Sequence, residues 1–239
     1  MPRANRYIVA GHAYHVTHRC HNRSFLFRFA RDREEYRKRL RSSLVPFGVE
    51  LLTYSITSNH THLLVYAEAT ESLAGLMQKL EGEFAEYYNI RKRRSGAFWS
   101  GRYHATMIEG GSHLWNCMKY VDLNMVRAGV VPHPREWEWC GYHELVGSRK
   151  RYRMVATEKI LELLGDCAAE SLAASYEKAI GEAVAARDLQ RNPIWTESIA
   201  VGCESFVSRI EAQTENRVEF TKEETGGQWV LRETAPAYG

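Results

Sequence analysis

With 239 residues, 44% hydrophobic and 26% charged, the chain can bury a core as one large domain or as a compact domain with an appendage, and wholesale disorder is excluded. The formal net charge of +3 hides a division: residues 1–155 carry 24 Lys and Arg against 14 Asp and Glu, and residues 156–239 carry 8 against 15, so only the first part suits a polyanion. No apolar run approaches the ~20 residues that span a bilayer, and "MPRANRYIVAGHAYHV" lacks the apolar stretch of a signal peptide, so a cytoplasmic protein is expected.

In chain order, the β-branched and aromatic residues of "RYIVAGHAYHVTHRC" predict a first strand, and "SFLFRF" a short extended segment after it. "ARDREEYRKRLRSSLVPFG" reads as a charged helix closed by Pro46 and Gly48. "VELLTYSIT" and "HTHLLVYAE" read as two strands joined tightly through Ser58 and Asn59. A long helix over "ESLAGLMQKLEGEFAEYYNIRKRR" ends before a turn at Ser95 and Gly96, and "YHATMI" gives a fourth strand. This order predicts an α+β fold, a ferredoxin-like split βαβ antiparallel sheet with helices on one face and the other face free. A third helix is expected from Ser112, as N-cap, to Gly129 at C′.

Beyond residue 153 the character changes. Residues 154–239 read as an acidic, mainly helical extension of a domain spanning 1–153, with helices in "EKILELLG", "SLAASYEKAIGEAVAARDL" and "GCESFVSRIEAQ". The final stretch from Glu219 is expected to be poorly ordered, or an edge strand at most. Cys20, Cys117, Cys140, Cys167 and Cys203 are odd in number and form no CxxC, so they are read as reduced.

The chemistry centres on "SNHTHLLV". Side chains two apart on a strand project to one side with Cα atoms roughly 6.5 Å apart, so His60 and His62 can reach one cation, but two ligands hold a metal poorly. The third helix offers another. At ~100° per residue, Leu114, Met118, Val121 and Met125 form its core stripe, and Tyr120 and Asn124 lie one turn apart on a different face, flanked by Asn116 and Arg127. If that helix packs beside the sheet, Asn124 completes a metal shell and Tyr120 points at what the metal binds. Separately, His12, His15, His18 and His21 recur every third residue, a spacing that alternates strand faces and so cannot serve one ion without a turn.

"NHTHLLV", "FWSGRY" and "YVDLNMVRAG", in this order, resemble the single-tyrosine HUH transposases, in particular the REP-associated tyrosine transposases of bacteria. The resemblance spans about residues 7–145. It implies that His60, His62 and Asn124 hold a divalent metal, Mg²⁺ or Mn²⁺, and that Tyr120 is the nucleophile. It also places His15 and Arg19 beside the DNA. Thr61 departs from the bulky apolar residue between the family's histidines, and Met125 from the proline its relatives usually carry. The implied activity is nicking and rejoining of single-stranded DNA at hairpin-forming sequences through a 5′-phosphotyrosine. The partner is single-stranded DNA with palindromic elements, and the protein is a monomer or homodimer.

Arg91, Lys92, Arg93 and Arg94, followed by Trp99 and Arg102, are a basic and aromatic stretch suited to DNA, as is Arg127, although basic residues also terminate helices favourably. Two other readings stay open: a noncatalytic binder of structured DNA or RNA derived from a transposase, and a metallonuclease using water in place of Tyr120.

Overall fold

The computed structural model describes residues 7–165, 171–187, 189–214 and 219–234; Arg6, Cys167, Asp188 and residues 235–239 of the readings above lie outside them. Strand β1 is His12–Arg19. "SFLFRF" is a turn rather than an extended segment; it buries Phe27 and leaves Phe25 and Phe29 exposed. Helix α1 (Ala30–Leu44) leads through Gly48, at φ +58, into β2 (Val49–Ile56). β3 (His60–Ala67) follows directly, then α2 (Thr70–Lys92) and β4 (His104–Ile108). β1 pairs antiparallel with β3 and β4, and β2 with β3, giving the expected split order β2-β3-β1-β4.

The register fixes which side chains share a face. His15, Thr17 and Arg19 of β1 lie opposite Leu64, His62 and His60 of β3, whereas Val16 and His18 lie opposite Leu63 and Thr61. The second set faces α1 and α2: His18 Nδ1 meets Glu81 of α2, and Tyr54 of β2 bonds Arg37 of α1. The first set faces the remaining helices, so this face is not free. Its strands are buried along almost their whole length, the pattern of a sheet covered on both sides.

The third helix is divided. α3 (Ser112–Asp122) and α4 (Asn124–Arg127) meet at Leu123, whose ψ of 1° interrupts the helical path, so Tyr120 and Asn124 stand on either side of a break. Leu114, Met118, Val121 and Met125 are all buried, as their periodicity predicts. The helix ends at Gly129, at φ +67, in the expected C′ position. After α5 (Tyr142–Leu145), the 137–155 stretch closes over the end of the sheet. Trp137 Nε1 donates to Ile56 O at 3.2 Å, and the guanidinium of Arg33 sits 4.7 Å from the rings of both Trp137 and Trp139.

The segment beyond 154 forms α6 (Thr157–Leu164), α7 (Leu172–Ala185), α8 (Ile194–Glu197), β5 (Ala200–Gly202), α9 (Glu204–Thr214), β6 (Phe220–Thr225) and β7 (Gln228–Glu233). Its three strands continue the same sheet, in the order β4-β5-β7-β6, with β5 parallel to β4. Residues 219–234 are therefore more than an edge strand. β7 is an interior strand with Val230 and Leu231 buried, and only β6 is an edge. Pairing through main-chain groups drives this: Met107 N donates to Ile199 O at 2.7 Å and Glu109 N to Val201 O at 3.0 Å. No helix among the described residues is long and apolar enough to cross a membrane.

Candidate active site

His62 stands at the centre of a chain of hydrogen bonds. Its Nδ1 lies 2.8 Å from His15 Nε2, and its Nε2 lies 2.9 Å from Asn124 Nδ2. His15 Nδ1 is 2.7 Å from the main-chain carbonyl of Trp195 in α8. A carbonyl only accepts, so His15 must carry its proton on Nδ1, leaving Nε2 as an acceptor. That acceptor then requires the proton of His62 on Nδ1, which leaves the lone pair on His62 Nε2. One carbonyl thus sets two tautomers in series.

His60 reaches the same state by a different route. The Thr57 hydroxyl donates to His60 O at 2.8 Å, so its oxygen accepts at 2.9 Å from His60 Nδ1, which also faces Asn59 Oδ1 at 2.7 Å. The lone pair of His60 is again on Nε2. All three imidazoles are held neutral. Burial pushes His15 and His60 down to about 3, helped at His60 by Arg19 and at His15 by His104. Burial and the neighbouring His60 push His62 well below the usual histidine range.

Two neutral imidazoles with unprotonated Nε2 atoms, that of His62 accepting from Asn124 Nδ2, and a carboxamide whose oxygen could take the place of that nitrogen are a donor set that fits a divalent cation, and a proton-fixing partner behind each ring is the support such ligands need. Among the described residues no three His, Cys, Asp or Glu side chains converge as a metal site; the side chain that stands against His62 Nε2 is the carboxamide of Asn124.

Tyr120 is close by. Its ring centroid is 6.3 Å from that of His62, 6.0 Å from His15 and 6.3 Å from Trp195. The Arg127 guanidinium lies 3.9 Å from the centre of the Tyr120 ring and donates to Tyr120 O at 2.7 Å. Burial raises the phenol above its ordinary value, and Arg127 and Arg191 oppose that rise. The rings adjoin, yet they open onto separate cavities. His60 and His62 line one of about 540 Å³ with Arg19, Arg23, Arg102 and Arg191, whereas Tyr120 and Trp195 line one of about 250 Å³.

Beneath Tyr120 the helix is pinned by Asp122. This buried carboxylate accepts from Thr53 Oγ1 at 3.0 Å and from Tyr176 of α7 at 2.7 Å, and burial pushes it up to about 7.

The structure thus brings together His60, His62, Asn124, Tyr120 and Arg127, with Arg19 and Arg102 on the wall beside them. His15 is fully buried and engaged on both nitrogens, so its place is behind His62. The basic run stands elsewhere and lines neither cavity: Arg91 pairs with Asp32, Lys92 covers the Phe29 ring at 4.4 Å, Arg94 donates to Asn89 Oδ1 at 2.8 Å and to Ala97 O at 2.7 Å, and Arg93 is exposed at the helix end. Sequence reasoning missed Arg23, Arg191 and the Trp195 carbonyl. A main-chain acceptor leaves no trace in residue type.

Residues 8–124 match the family model described as "Transposase IS200 like". A search of curated proteins finds no match. Among solved structures, one described as "Structure of the REP associates tyrosine transposase bound to a REP hairpin" aligns with a TM-score of 0.54 at 17% identity, over 64% of this chain and 90% of that one. A putative transposase from Deinococcus radiodurans aligns at 0.35 and 18% identity, over 44% of this chain and 84% of that one. The fold is that of the first neighbour, an α+β sheet with helices on both faces, and over residues 8–124 the chain is similar to the IS200-like transposase family.

Proposed function

We propose that this protein nicks and rejoins single-stranded DNA at hairpin-forming sequences, with Tyr120 as nucleophile and with His60, His62 and Asn124 holding Mg²⁺ or Mn²⁺. The observation that carries the reading is the contact of His62 Nε2 with Asn124, made by two segments far apart in sequence, with the Tyr120 ring 6.3 Å away. The solved neighbour's binding of a REP hairpin supports DNA of that kind as the substrate.

When bound, the metal would neutralise charge developing on the phosphate oxygens of the scissile diester. The chain's own residues do the rest. Arg19, Arg23 and Arg102 hold the backbone phosphates along the larger cavity. With its ring turned from the smaller cavity toward the larger, Tyr120 Oη attacks phosphorus, loses its proton, and expels the 3′-oxygen, which takes a proton, leaving a 5′-phosphotyrosyl enzyme and a free 3′-hydroxyl. Arg127, stacked on the ring, stabilises the phenolate as it forms. No nucleotide cofactor is needed, because the phosphotyrosine keeps a diester that another 3′-hydroxyl can attack.

An end-labelled hairpin oligonucleotide incubated with Mg²⁺ or Mn²⁺ tests this. A denaturant-resistant conjugate in the wild type that disappears in Tyr120→Phe is expected. Cleavage that survives Tyr120→Phe assigns the attack to water, and binding without cleavage assigns a noncatalytic role; either result overturns the reading.

A further inference from the structure

The two cavities differ in chemistry. The larger, on the imidazole side, is walled by Arg19, Arg23, Arg102 and Arg191, the last paired with Glu197. The smaller, on the tyrosine side, is walled by four carboxamides, Asn116, Gln190, Asn192 and Gln228, together with Tyr120 and Trp195. Among the described residues no carboxylate lines it. Of its two cations, Arg127 is committed to the ring and carbonyl of Tyr120, which leaves Lys119 to meet a phosphate at the rim.

Cations suit phosphates, and carboxamides suit base edges, since each pairs an acceptor oxygen with a donor nitrogen in one plane. At about 250 Å³ the smaller cavity lies below the ~300–1,000 Å³ of pockets that enclose drug-sized molecules, a size suited to a single nucleobase. Its aromatic members supply a stacking surface. Its polar groups are partly pre-set: Asn192 Oδ1 already accepts from Ile194 N at 3.2 Å, which leaves the Asn192 amide hydrogens as donors.

We infer that this cavity is a base-reading pocket, in which Asn116 and Gln190 select the unpaired base beside the scissile phosphate, while the arginine-lined cavity carries the backbone. The inference rests on the function proposed above and adds the specificity residues. Three of the four carboxamides come from beyond residue 154, so the extension takes part in substrate choice. The matching edge is that of adenine, whose N6 donor and N7 acceptor complement a carboxamide.

The test measures binding alone, on the Tyr120→Phe protein, so that cleavage does not enter. Hairpin oligonucleotides with single-stranded flanks carry A, C, G, T or an abasic site at each flanking position in turn. The expected result is one position at which replacing adenine weakens binding about five- to hundredfold. In that protein carrying also Asn116→Ala and Gln190→Ala, the preference flattens, with the slope of affinity against salt unchanged. Gln190 is exposed, so the single Gln190→Ala change serves if the double variant fails to fold. Binding with no base preference, or with a preference that survives both substitutions, overturns the pocket and leaves the parent reading standing. Failure of every hairpin to bind overturns both.

Discussion

Replacing Asp122 with asparagine separates the ionisation of this carboxyl from its shape. Asp122 ends the helix that carries Tyr120 and is buried, and burial moves its midpoint from 3.8 to about 7 despite hydrogen bonds from Thr53 and Tyr176. Between those two pH values the folded chain keeps a proton that the unfolded chain has released, so stability falls as pH rises through that window and is flat above it. At ~1.36 kcal/mol per pH unit across about three units, the loss is on the order of 4 kcal/mol, a large share of the 5–15 kcal/mol typical of a domain. The carboxamide of the Asp122→Asn variant has no such proton to lose. Urea unfolding of both proteins from pH 4 to pH 8 is the assay. The stability of Asp122→Asn relative to wild type is expected to climb with pH and level off near pH 7. Two curves that run parallel across the range would refute the reasoning, since a solvated or differently paired carboxyl gives no such divergence.

His15→Ala removes the group that holds the His62 proton on Nδ1. Affinity for Mn²⁺, read by calorimetry, is expected to fall about 10- to 100-fold with the fold intact, and an unchanged value would show that His62 needs no such partner. Gly141→Ala is expected to destabilise by about 1–3 kcal/mol in thermal or urea unfolding: its new Cβ would stand 2.1 Å from Thr53 Oγ1 and 3.0 Å from Thr53 Cα, pushing the hydroxyl off Asp122. No measurable loss would mean that Thr53 moves aside freely.

The parts of the site that depend on local period were legible in the residues. His60 and His62 share a face because strand side chains alternate, and Leu114, Met118, Val121 and Met125 are buried as their period predicts, although Tyr120 is buried with them and Asn124 stands beyond a break. His15 and His18 fall on opposite faces for the same reason. The break at Leu123 has no glycine or proline to announce it. No strand was read at β5, and β6 and β7 were read as a poorly ordered stretch or an edge strand at most, because their pairing is main chain to main chain: the partners Met107 and Ala200 are brought together by the fold and not by any nearby pattern. Sheet extension across such a separation depends on the rest of the molecule already being in place. Two carboxamides of the smaller cavity were equally hidden, since Gln190 and Gln228 are ordinary surface residues until the fold brings them to the wall shared with Asn116.

The Trp195 carbonyl has a practical consequence for mutagenesis. Alanine scanning leaves every peptide oxygen where it was, so a survey of residues 190–198 can pass over the acceptor that orients two histidines. An amide-to-ester replacement at the Trp195–Thr196 link, which weakens that oxygen as an acceptor while keeping every side chain, probes it directly. Truncation before residue 190 takes the oxygen away altogether, and a shortened catalytic fragment then differs from the whole chain in how its imidazoles hold their protons.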